Sequence, residues 1–177
     1  MSNEKITYNF LADVRKKGTE HINDWEESAN DDHDAELMFD AFEKRLKNLG
    51  RELKHSKVLE IGSGNNIFLS YLQKQGVDVV GTDVRPRGEI DGLPVTVARI
   101  ERLPFPDETF DVVLSRFVFD TNVYNQNHRL MMEEISRVLK HGGIYASIGD
   151  YIEKSIDSLT PIPNTDHFKV VSVFSKS

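Results

Sequence analysis

The run Val58-Leu59-Glu60-Ile61-Gly62-Ser63-Gly64-Asn65-Asn66, continuing into Ile67-Phe68-Leu69-Ser70-Tyr71-Leu72, decides the fold. Its apolar first part reads as a buried strand, which two glycines one residue apart break into a tight turn. Apolar residues at helical spacing follow at once. Glycine has no Cβ, so Gly62 and Gly64 permit a sharp turn and let a ligand approach the backbone closely. In an open α/β sheet, ligands bind beyond the carboxyl end of such a strand. The turn therefore reads as a cofactor site.

Working outward, Lys57 to Ile61 is the first strand, and the helix after the turn ends near Gly76. Asp78-Val79-Val80-Gly81-Thr82-Asp83 is a second strand ending in an acid. Val84 to Leu93 contains Pro86, Gly88 and Gly92, too broken for a full helix. Pro94 to Ala98 makes a short third strand. Leu103-Pro104-Phe105-Pro106-Asp107 is a stiff connection, because each proline fixes φ and restricts its predecessor. Phe110 to Ser115 is nearly all apolar, as a strand buried on both faces should be. A helix is predicted from Gln126 to Lys140, ended by His141-Gly142-Gly143, which releases a fifth strand from Ile144 to Ile148. One further strand, Phe168 to Phe174, completes a shortened C-terminal set. Upstream, Leu37, Met38, Ala41, Phe42, Leu46 and Leu49 recur at helical spacing and stop at Gly50; Asn30, Asp31, Asp32 or Asp34 caps that helix. Strands alternating with helices define an α/β, doubly wound, mostly parallel sheet.

Composition narrows the function. The chain has 177 residues and 38% hydrophobic content, which suits one compact domain. A net charge of −7 argues against affinity built on phosphate contacts. From Glu20 to Glu43 there are ten acids and no Lys or Arg, which reads as a solvated face and loop. The absence of cysteine excludes disulfides, thiolate nucleophiles and Cys-ligated zinc. No metal site is expected. Met1 to Phe10 lacks a signal-peptide apolar core, and no apolar run is long enough to span a bilayer. A soluble cytoplasmic protein, with no membrane partner, is the expectation.

Two cofactor classes use a glycine turn after the first strand. The dinucleotide pattern G-x-G-x-x-G wants a third glycine where this chain has Ile67, whose side chain would crowd the approach. Another pattern fits better. Glu60-x-Gly62-x-Gly64, then Asp83, then Leu103-Pro104-Phe105 ahead of Phe110-Asp111-Val112-Val113, then Glu134-Ile135-x-Arg137-Val138-Leu139-Lys140-x-Gly142-Gly143 resembles the class I S-adenosylmethionine-dependent methyltransferases. The likeness is to the small-molecule branch with the methyltransferase type 11 signature, and it covers Val58 to Ile148.

The resemblance implies a Rossmann-like methyltransferase fold and S-adenosyl-L-methionine as cofactor. Glu60, Gly62 and Gly64 match residues beside the cofactor's methionine part, and Asp83 matches the acid that holds both ribose hydroxyls. Val84 would touch the adenine face, and Ile100-Glu101 would lie at the adenine edge. Ser115-Arg116-Phe117 would lie at the methionine and substrate end. Taken singly, Glu60 also reads as an N-cap or a salt-bridge acid, and Asp83 as a turn residue. The family has a third glycine where this chain has Asn66, a residue that tolerates unusual backbone angles. It often has an aspartate against the adenine amino group where Arg99 stands here. The implied organisation is a single domain over 1–177: a helical segment over the pocket (1–50), a cofactor-binding core (51–150) and a short extension with one strand (151–177).

Methyl transfer is an in-line displacement, so alignment supplies much of the catalysis. A base is needed only when the acceptor must lose a proton early. Tyr124 and His128 are the catalytic candidates, with Asp120 and Asp150 also near the pocket mouth; Arg116 reads as a site for an acidic substrate or as a structural ion pair. Without cysteine, cytosine C5 methylation by a thiolate is impossible. No Asn/Asp-Pro-Pro-aromatic segment follows the fourth strand, so a small-molecule acceptor is expected and nucleic acid is not. A catalytically inactive binding module of the same fold and a nucleotide-dependent oxidoreductase are the alternatives.

Overall fold

β1 (Lys57–Ile61) and β2 (Asp78–Asp83) form at the residues expected from their apolar runs. In the computed structural model, which describes residues 32–86, 92–119, 128–149, 156–163 and 171–177, they are the third and second strands of a seven-stranded sheet whose middle strand is β4. The other strands are β3 (Val95–Val97), β4 (Phe110–Arg116), β5 (Leu139–Ile148), β6 (Leu159–Ile162) and β7 (Val171–Lys176). Their order is β3-β2-β1-β4-β5-β7-β6, with β1 to β5 parallel and β7 antiparallel to both neighbours. The chain reverses its direction of winding between β1 and β4. That switch point opens a crevice at their carboxyl ends.

Among the described residues three α-helices cover the sheet: α1 (Asp32–Lys47), α2 (Ile67–Lys74) and α3 (His128–Val138). α1 and α2 lie on one face, where Met38, Phe42, Phe68 and Leu69 pack with Val58 and Leu114. α3 lies on the other, with Met131 and Ile135 against Leu59, Ile61 and Val113. Asp32 and Asp34 occupy the first turn of α1 and Lys44, Arg45 and Lys47 its last, complementing the helix dipole. Gly50, at φ +71°, ends it by donating to the Lys47 carbonyl at 3.0 Å. Among the described residues no helix is long and apolar enough to cross a membrane. Asn30 and Asp31 lie outside the described residues.

The structure corrects two expectations. The helix predicted to reach Lys140 stops at Val138, because the buried Leu139 already pairs with Phe110 as part of β5. Between the Phe110–Leu139 and Val112–Ile144 pairings, β5 carries extra residues as a bulge. There Gly142 takes φ +68°, and a Cβ on Gly143 would meet the Lys140 carbonyl at 2.7 Å. The C-terminal extension holds two strands rather than one. β6 escapes the pattern because it has four residues and contains Pro161, which only an edge strand tolerates. β7 (Val171–Lys176) ends beyond the predicted Phe174, and the predicted residues Phe168 to Val170 lie outside the described residues.

The Leu103–Asp107 connection is held by α3. Arg137 donates to the carbonyls of Phe105 (2.8 Å) and Leu103 (3.0 Å) and pairs with Asp107 (2.8 Å) and Glu134 (2.8 Å). Glu134 accepts the Leu103 N–H at 2.9 Å. These bonds explain the sequence pattern joining the proline-rich step to Glu134 and Arg137. The Arg137 hydrogen bond, with that from Leu103, holds the Glu134 carboxyl below its usual range despite burial. Its stabilisation is present above the ordinary carboxylate pKa and is lost as pH falls through the depressed value. Arg137→Ala is expected to cost about 1.5–3 kcal/mol in urea denaturation at neutral pH. The deficit should narrow on acidification; a deficit independent of pH would contradict this role.

Candidate functional site

The turn after β1 is built on three left-handed residues. Gly62, Gly64 and Asn66 take φ of +71°, +57° and +64°. The Gly62 and Ser63 N–H groups both donate to the Thr82 carbonyl, at 2.7 and 3.0 Å, tying the turn to the end of β2. A Cβ on Gly62 would collide with the Val118 side chain, whereas one on Gly64 would meet nothing closer than the Gly62 carbonyl at 4.0 Å. Among the described residues, Gly64 therefore faces open space and Gly62 does not. Gly62→Ala is expected to cost about 1–3 kcal/mol or more from strain, with Gly64→Ala costing less. Thermal melting ranks the two, and the reverse order would contradict the packing.

Asn66 takes a left-handed backbone angle that a short polar side chain tolerates. It stands at the N-cap position of α2 without a side-chain capping bond, is 1% exposed, and its Oδ1 accepts a hydrogen bond from Ser63 Oγ at 2.9 Å. Ile67 opens α2. Asp83 closes the turn from β2: its Oδ2 accepts the Gly64 N–H at 3.0 Å and its Oδ1 the Arg85 N–H at 2.7 Å. A carboxylate oxygen has two lone pairs, so each keeps one for another donor. Val84 follows, 45% exposed beside that acid.

Glu60 is wholly buried. It pairs in register with Leu114 on β4, and Arg116, two residues further on the same face, reaches back to it. Arg116 Nε and Nη2 both donate to Glu60 Oε1, at 3.1 and 2.8 Å. Glu60 Oε2 is buried without a hydrogen-bond partner among the described residues. Burial pushes the Glu60 carboxyl above the usual range, Arg116 offsets part of that, and the nearby Asp83 adds to it. The guanidinium lies 4.7 Å from the centre of the Phe68 ring, with Nη1 3.3 Å from Met38 Sδ on α1. Of the two readings of Arg116, the structure therefore has the ion pair. The signal was present in the sequence: a cation ends a buried strand beside one carrying a buried acid.

The remaining candidates are spread more widely. Ile100 is buried on the α3 face of the sheet, and Glu101 accepts a hydrogen bond from Arg99 at 3.0 Å, the arginine that stands where an aspartate was expected. Ser115 alternates away from Glu60, is wholly buried, and shares a 2.8 Å hydrogen bond with Tyr145. Phe117 takes φ +53°, and its ring lies where a Cβ on Gly149 would stand. His128 begins α3 with its ring edge-on to Phe119 at 5.2 Å. Its Nε2 is buried without a partner among the described residues. Tyr124, Asp120 and Asp150 lie outside the described residues. The structure thus gathers Glu60, Gly62, Gly64, Asn66, Asp83 and Val84 around one turn. Sequence reasoning missed Val118 against Gly62, Met38 against Arg116, and Tyr145 behind Ser115.

A doubly wound sheet with a glycine turn at its switch point, a buried acid one residue before the end of its first strand and another ending its second, has the architecture of a nucleoside-binding α/β protein. The description "Methyltransferase domain" matches residues 59–147, half of the chain, and the chain belongs to this family, whose cofactor is S-adenosyl-L-methionine. It is 35% identical over 103 residues to protein MJ1123 of Methanocaldococcus jannaschii, covering 58% of this chain and 48% of that one. It is 29% identical over 125 residues to a sarcosine/dimethylglycine N-methyltransferase of Aphanothece halophytica, covering 61% and 44%. The chain thus spans about half the length of these curated relatives. Among solved structures, its fold is similar to a SAM-dependent methyltransferase from Aquifex aeolicus. The TM-score is 0.53, at 20% identity, over 94% of this chain and 97% of the other.

Proposed function

We propose that this protein is an S-adenosyl-L-methionine-dependent methyltransferase acting on a small-molecule acceptor. The observation that carries the reading is the Asp83 carboxylate, anchored by two backbone N–H groups with one lone pair left on each oxygen. A ribose diol donates two hydrogen bonds and matches it. Gly64 leaves open space for close approach, and Val84 offers an apolar face to the adenine. Glu60 Oε2, buried and lacking a donor among the described residues, suits the cofactor's ammonium. Ile100 and Glu101 serve the adenine edge, Asn66 holds the turn, and Ser115 braces the end of β4 from behind.

Bound S-adenosylmethionine would supply a methyl group made electrophilic by its sulfonium. The protein's part is to hold the nucleoside at Asp83 and to align an acceptor at the carboxyl end of β4. An acceptor that must lose its proton early would use Tyr124 or His128 as base. The named acceptors of the Aphanothece relative, sarcosine and dimethylglycine, are small molecules. The net charge of −7 also favours such an acceptor over nucleic acid. Localisation in the cytoplasm belongs to the same proposal.

Incubation with methyl-labelled cofactor and a panel of small amines, carboxylates and phenols tests the reading; label should move to at least one class. Cofactor binding without transfer to any acceptor would favour an inactive binding module instead. That second reading is motivated by Asn66 and Arg99, which stand where the family has a glycine and often an aspartate.

A further inference from the structure

Ser63 lies inside the glycine turn yet is wholly buried, away from the open space at Gly64. Its three polar groups are all engaged. The N–H donates to the Thr82 carbonyl at 3.0 Å, the carbonyl accepts the Asn66 N–H at 2.9 Å, and Oγ donates to Asn66 Oδ1 at 2.9 Å. At an N-cap, an asparagine ordinarily has extended backbone, and its side chain accepts an N–H of the first helical turn. Asn66 instead has φ +64° and, among the described residues, no such bond. The neighbouring Asn65 Oδ1 accepts the Ile67 N–H, at 3.3 Å. Asn66 therefore has two competing arrangements: a left-handed one tied to Ser63 and an extended one that caps α2.

We propose that Ser63 is a positioning residue whose hydroxyl holds Asn66 left-handed and so keeps the turn in its cofactor-binding form. The inference rests on the assignment of the site to S-adenosylmethionine. Swinging Asn66 to the extended arrangement breaks its N–H bond to the Ser63 carbonyl and moves the residues between them, Gly64 included. The Gly64 N–H then leaves Asp83 Oδ2, which it meets at 3.0 Å. Removing the hydroxyl takes a donor from a buried amide oxygen, and at 1% exposure water is a poor substitute. That cost falls on the left-handed arrangement alone. The competent fraction of the free protein shrinks, and apparent affinity shrinks with it. A glycine at position 66 enters the left-handed region freely and has no side chain to cap α2, so the hydroxyl has nothing to select there.

Calorimetry and surface plasmon resonance with S-adenosylhomocysteine test this on Ser63→Ala, made alone and together with Asn66→Gly. Alone, Ser63→Ala should weaken binding roughly 10-fold, the size of one lost hydrogen bond. The loss should appear in the association rate with dissociation unchanged, because the bound form is the same. Measured against Asn66→Gly, the same serine change should cost less than about twofold. A folded Ser63→Ala that binds like the wild type overturns the proposal. So does an equal loss in both backgrounds, or a loss carried by faster dissociation. If Ser63→Ala does not fold, the double variant decides: folding and binding regained with Asn66→Gly support the proposal, and continued failure to fold overturns it. If the wild type does not bind S-adenosylhomocysteine, the cofactor assignment fails and the proposal with it; if it binds and the two backgrounds do not differ, only the role of Ser63 fails.

Discussion

Arg116→Met is expected to lower the free energy of unfolding by about 3–5 kcal/mol at neutral pH, because it strands a wholly buried carboxylate. The cause is the charge left behind rather than the bond removed. Replacing both partners, Glu60→Met with Arg116→Met, should therefore restore most of the loss. Nothing ionic then remains between Phe68 and Met38. The pH dependence has a defined sign. Glu60 already has a raised pKa in the folded protein, from burial first and Asp83 last, and removing Arg116 raises it further. The penalty is full above that raised value and fades as pH falls towards the ordinary carboxylate pKa, where Glu60 is neutral in both states. Urea titrations of the single and double variants at neutral pH and about pH 5 check this. A double variant as unstable as the single one would show that the pair is not the unit of stability.

The second large effect concerns ligand binding. Asp83→Ala removes the acceptor proposed for the ribose hydroxyls and releases the Gly64 and Arg85 N–H groups. Affinity for S-adenosylhomocysteine should fall by about 1.5–3 kcal/mol for one charge-assisted bond, and by more if both hydroxyls use it. Asp83→Asn should fall between, since the amide keeps one acceptor and turns the other into a donor. Both variants should stay folded, because Asp83 is only half-buried at the end of β2. An unchanged affinity in Asp83→Ala would sink the ribose assignment.

How far the chain could be read follows from where the signals lie. β1, β2 and the turn between β1 and α2 were legible because central parallel strands are continuous apolar runs, each ended here by glycine or an acid. Asp83 was legible for the same reason. β6 was not, since an edge strand of four residues with a proline has no pattern to show. The start of β5 was hidden by its bulge: helical periodicity runs on through Leu139, and only the pairing with Phe110 reveals the strand. The grouping of Ser115, Arg116 and Phe117 ignored the two-residue period of a strand. That period puts Arg116 on the Glu60 face and Ser115 against Tyr145 on the other. Asn66 was read correctly as a residue able to stand in for glycine, because a short polar side chain tolerates the left-handed region.

The central claim is that the turn from Gly62 to Asn66, with Asp83, is a site for S-adenosylmethionine rather than for a dinucleotide. Titration calorimetry of the wild-type protein with S-adenosylhomocysteine, and separately with NADH, tests it most directly. Saturable binding of S-adenosylhomocysteine, with NADH much weaker or silent, is the expected result. NADH binding the more tightly, or no detectable binding of S-adenosylhomocysteine, would contradict the account.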